Sequence, residues 1–178
     1  MNIIETLGRD FPDVHAYCAG DPENIEDIML EEGSVMPAMA DLITADLKYR
    51  QQQMWLKIRG ERDRRYYQGI YLEGTDGKNY WFWTDLDTRG KYSMYDIFIR
   101  NANLGPDVVL DNWKTMTGEF TPMTVALLYQ VIGAAIGNEK IIFNRGEEKN
   151  AEMMALDNPD DYDYLAGWPT CYTDTLVS

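Results

Sequence analysis

The sequence predicts an α+β protein folded as a single domain over residues 1–178, and three observations carry that prediction. Apolar residues recur at steps of three and four in the first third and again from 125 to 136. Between those stretches the period drops to two, over segments rich in aromatic and β-branched residues. Short runs of Gly, Asp and Thr separate these segments as hairpin turns would. With 45% hydrophobic and 12% aromatic residues, the chain has enough apolar surface to offset the entropy of ordering it, which excludes a disordered polymer.

Taken in order, residues 1–60 are expected to be mainly helical. Asp21-Pro22 supplies an N-cap and a first-turn proline, Ile25, Ile28 and Met29 follow at helical spacing, and Gly33 closes the segment. A second helix opens at Pro37. Its stripe of Met39, Leu42, Ile43, Leu47, Arg50 and Met54 runs into the fifties, where residues 54–59 also alternate as a strand would. Residues 61–100 predict an antiparallel β-meander of three or four strands. These lie near 66–72, 80–83 and 92–99, joined by turns at Gly74-Thr75-Asp76-Gly77 and Asp87-Thr88-Arg89-Gly90. A connection over 101–120 leads to one buried helix at 121–137, packed on the sheet. Thr121 serves as its N-cap, Pro122 opens it, and Gly137-Asn138 stops it. Residues 140–144 add a short strand, and 151–178 form an irregular acidic arm.

Charge is unevenly spread. The formal total is −14, but residues 1–47 carry −10 and residues 48–65 carry +5, while 151–178 hold six acids and no base. The overall sign argues against nucleic acid as a partner, since a polyanion repels a phosphate backbone unless its bases are gathered on one face. The basic block, Lys48, Arg50, Lys57, Arg59, Arg62, Arg64 and Arg65, is the sharpest feature. Together with Asp160, Asp161 and Asp163 of the arm it forms the candidate partner-binding set, opposite charges meeting between subunits.

Catalytic constellations are weak. His15, the single histidine, stands three residues from Cys18 with no third group to orient it, and one His with two Cys makes a structural zinc site improbable. No cofactor or metal is expected. Gly74-Thr75-Asp76-Gly77-Lys78 lacks the Walker spacing and reads as a hairpin. Trp81, Trp83 and Asp85 alternate on one predicted strand face, as paired-acid chemistry on sugars would use them, although ordinary cross-strand packing is the favoured reading of such a face. Cys18 and Cys171 read as unpaired buried thiols. The N-terminus shows no secretory signal, and the apolar run at 125–136 falls short of the ~20 residues that span a bilayer.

These features favour a non-enzymatic structural or assembly protein, of viral (phage) character, that acts through protein–protein contacts. Its expected partners are other protein subunits, by self-association or within a larger assembly, with no membrane involved. Tyr, Trp and Met, residue types enriched at interfaces, together far outnumber Phe. The expected location is cytoplasmic, or the virion. Two alternatives stand behind this one: an acidic inhibitor that mimics nucleic acid, and a carboxylate-based metal-dependent enzyme.

Overall fold

A computed structural model describes residues 1–176. The fold is α+β, with four α-helices and three antiparallel two-stranded hairpins among the described residues. The chain divides into two compact units, residues 1–56 with 152–162, and residues 57–151 with those from 163 onward.

In the first unit, α1 (Ile3–Asp10) is capped by Asn2, whose side chain accepts from the Glu5 amide at 3.0 Å. Strands β1 (Ala16–Cys18) and β2 (Ile28–Leu30) pair in register Tyr17↔Met29, and α2 (Met39–Tyr66) begins here. Ile3, Leu7, Ile28 and Leu42 close the core. The expected helix over 21–33 is therefore a hairpin. Locally, Asn24 caps a single 3-10 turn by accepting from the Glu26 amide, and Asp27 accepts from the Asp21 amide. These short side chains give the backbone partners that a helix would otherwise supply.

The second unit holds the end of α2, the hairpin of β3 (Ile70–Glu73) and β4 (Asn79–Phe82), α3 (Leu86–Ala102), the hairpin of β5 (Val109–Lys114) and β6 (Phe120–Thr124), and most of α4 (Val125–Met154). The turn at 74–77 forms as read: the Gly74 amide bonds the Lys78 carbonyl at 2.7 Å, and Gly77 takes φ +78°. Gly69 is fixed by space as well as angle. Its φ is +80°, and a Cβ there would lie 2.3 Å from Met116 Sδ and 2.9 Å from the Phe82 carbonyl. The core joins Ile70, Tyr80 and Phe82 to Tyr92, Trp113 and Leu128.

Several expectations in this unit are corrected. The third meander strand, 92–99, lies in α3, and the turn at 87–90 is that helix's first turn. Asp85 caps it, accepting from the Thr88 amide at 3.0 Å and the Thr88 hydroxyl at 2.8 Å. The connection 101–120 contains β5. Thr121 and Pro122 lie in β6 rather than at a helix start, since proline is tolerated in a strand with a free edge. Thr124 instead receives the Leu127 amide at 3.1 Å where α4 begins. Residues 137–138 and 140–144 pass through α4 as helix, and the expected arm begins with that helix's last residues.

At 30 residues α4 is also far longer than expected, and by length and composition it is long and apolar enough to cross a membrane. Nor is it the fully buried helix expected. Val125, Leu127, Leu128 and Val131 enter the core, yet only 28% of its most apolar 18-residue stretch is buried.

Candidate functional site

The basic block lies on α2, where residues two apart point to opposite sides, as Lys57 and Arg59 do. In the first unit, Arg50 pairs with Asp46 at 2.9 Å and reaches Asn158 at 2.7 Å and Asp160 at 3.4 Å. In the second, Arg62 pairs with Asp63 at 2.8 Å and lies over the Phe143 ring. Arg64 makes a two-pronged contact with Glu61 and donates to Thr173. Arg65, 6% exposed, donates to Glu61 and the Pro169 carbonyl, both at 2.7 Å, and to Asp174 at 2.9 Å. Lys48, Lys57 and Arg59 remain exposed, with no ion pair among the described residues. Asp161 is exposed, whereas Asp163 accepts from the Leu165 and Ala166 amides.

The Arg65 cluster is an electrostatic clasp between the end of α2 and residues 169–174. Arg64's hydrogen bond, with Arg65's help and against burial, holds the Glu61 carboxyl below its ordinary 4.5. Burial also opposes ionisation of Asp174, but the Cys171 amide and Arg65 outweigh it and hold that carboxyl below 3.8. Both acids ionise more readily folded than unfolded. The clasp's contribution is therefore complete above about pH 4.5, and it is lost as pH falls through the depressed folded values. Urea titrations of the parent and of Glu61→Gln at descending pH should converge in midpoint below that limit. Equal spacing at every pH would contradict the assignment.

A cleft of about 910 Å³ opens beside α3. Trp83, Tyr95, Phe98 and Trp113 supply its rings, and Asp87, Asn112, Lys91 and Lys114 are among its polar residues. Trp113 stacks on Tyr92 at 5.2 Å and meets Tyr95 edge-on at 6.2 Å; the Tyr95 hydroxyl is anchored by Asp111 at 3.0 Å. Burial, then the bond to Asp111, raises the Tyr95 phenol. Trp83 and Asp85 do share this cleft, but β4 ends at Phe82, and Trp81 packs elsewhere, against Tyr71 and Tyr172.

A second groove, of about 530 Å³, runs between α3 and α4. Tyr129, Ile132, Ile136 and Phe143 form a stripe along α4, and Ile97 faces it within the groove. Ile136 is 64% exposed and Ile97 59%. The flanking charges are paired: Arg89 with Glu139, and Arg100 with Asp96 at 2.9 Å.

His15 is exposed, and Cys18 and Cys171 are free thiols. Among the described residues no three His, Cys, Asp or Glu side chains gather as a metal site.

The fold and these surfaces define an α+β protein whose most developed features are an aromatic cleft and an apolar helical groove. Residues 49–166, about two thirds of the chain, match the family described as Domain of unknown function (DUF4376), and the chain belongs to that family. No curated protein and no solved structure matches it. Both surfaces lie within the matched region. The sequence singles out Trp83 and Asp85 of the cleft, but strand propensity hides Ile97 and Phe98, and Trp113 lies in a stretch that reads as a connection. The available signal was α4 itself: a helix apolar nearly all round offers more surface than one small core can cover.

Proposed function

We propose that the chain is a non-enzymatic assembly subunit that pairs with a second copy of itself through the α3–α4 groove. The apolar stretch of α4, long yet only 28% buried, carries this reading. Tyr129, Ile136, Phe143 and Ile97, each between 41% and 64% exposed, leave about 400 Å² of mainly apolar surface in water, within the range of the largest and often functional patches of monomers. Two such faces brought together bury about 800 Å², and the paired charges at the rim supply the rest of the roughly 1,000 Å² that a specific interface needs. The local charge fits this occupant. Two chains of −14 repel, and the groove offers a face whose flanking charges are already neutralised in pairs. A two-fold contact brings the same stripe against itself and closes the assembly as a dimer.

Raising salt screens the repulsion without weakening apolar contact, so the dimer should tighten between about 50 mM and 500 mM salt. Sedimentation equilibrium measures this directly, and Ile136→Glu should weaken association by at least about tenfold. A chain that stays monomeric at high salt and about 100 μM, or a dimer indifferent to Ile136→Glu, would count against the proposal. Flotation of the chain with lipid vesicles would assign the stripe to a bilayer instead.

A further inference from the structure

The geometry points to the aromatic cleft beside α3 as a binding site for a neutral saccharide, a site independent of the self-pairing groove. The rings that back it are packed before any ligand arrives. Trp113 is fixed between Tyr92 and Tyr95, and Tyr95 is tied through its hydroxyl to Asp111. Trp83 and Phe98 stand more open, 38% and 55% exposed, and present ring surface to an incoming molecule.

The polar complement selects the ligand class. Asp87, Asn112, Lys91 and Lys114 are exposed cleft residues, and neither Asp87 nor the two lysines forms an ion pair among the described residues. Asp85 has both oxygens engaged by Thr88, and Asp111 is committed to Tyr95 and the Asn112 amide. The indole Nε1–H of Trp113 is buried without an acceptor, so the exposed polar groups of the cleft, and not this donor, meet the ligand.

A wholly apolar ligand would strip water from these groups and return nothing to them. A polyanion would meet three carboxylates, Asp85, Asp87 and Asp111, against two ammonium groups. A pyranose satisfies both demands. Its C–H faces lie on aromatic rings, while its hydroxyls, each both donor and acceptor, bridge carboxylate, amide and ammonium. The volume of about 910 Å³ suits a short oligosaccharide rather than one ring.

The test is an array of neutral oligosaccharides probed with the full chain, followed by tryptophan-fluorescence titration of the strongest hit. Binding is expected, weakened at least tenfold by Trp83→Ala and by Asp87→Asn, with thermal midpoints unchanged. Ile136→Glu should bind as the parent does, so that loss of self-pairing and loss of sugar binding are read separately. A silent array would overturn the proposal, as would a hit that survives Trp83→Ala. Binding confined to sulfated glycans or nucleic acid would also overturn it, by showing that the lysines alone select the ligand.

Discussion

Arg65→Ala is expected to destabilise the protein by about 3–5 kcal/mol, the summed cost of taking one buried, charged donor from three acceptors. Glu61 is 8% exposed and would keep its charge with only Arg64 beside it, while the Pro169 carbonyl and Asp174 would lose their donor. Asp174 is partly open to water and Glu61 keeps its two-pronged contact with Arg64, so the effect is shared among the three acceptors rather than concentrated at one. Arg65→Lys should restore only part of the loss, because an ammonium cannot match the planar fork that serves three acceptors at once. Chemical denaturation at neutral pH gives the magnitude, and amide exchange over residues 167–176 gives the location. A loss under 1 kcal/mol, or unchanged exchange in that segment, would show that the clasp is ornamental.

Phe82→Ala should cost a similar amount, about 3–5 kcal/mol, for a different reason. The ring is fully buried, pairs across the hairpin with Ile70, and meets the Tyr80 ring edge-on at 6.4 Å. Removing it takes apolar surface from the core and leaves a void that a short two-stranded hairpin has little freedom to fill. Phe82→Leu keeps most of the volume and should lose clearly less. A denaturation series that ranked the two variants equal would indicate that the core relaxes around the cavity.

What the sequence revealed depended on whether local chemistry and tertiary packing agreed. They agree at Gly74–Lys78, where the turn residues dictate a hairpin, and in the start of α2, where the stripe from Leu42 to Met54 continues past the ambiguous alternation at 54–59. They disagree in α3. Tyr92, Ile97 and Ile99 have strand propensities, but the Asp85 cap and the burial of Thr88, Tyr92 and Ile99 along one helical face outweigh them. Gly137-Asn138 failed as a stop because a glycine ends a helix by taking positive φ, and Gly137 does not. The clasp was half legible. The sequence singles out Arg65, and its four-residue spacing from Glu61 pairs them once α2 extends to Tyr66, but no spacing points to Asp174, 109 residues on.

That separation sets a schedule. A ribosome adding about 5–20 residues per second makes Arg65 roughly 5–20 seconds before it makes Asp174. Through that interval the arginine has Glu61 and Arg64 nearby but none of its acceptors from 169–174, so the last turn of α2 cannot be sealed while β3 through α4 emerge. If the unit folds as it is made, its closure is timed by translation, and slowing the ribosome between the two residues would lengthen the period in which Trp81 and Gln68 await the segment carrying Tyr172.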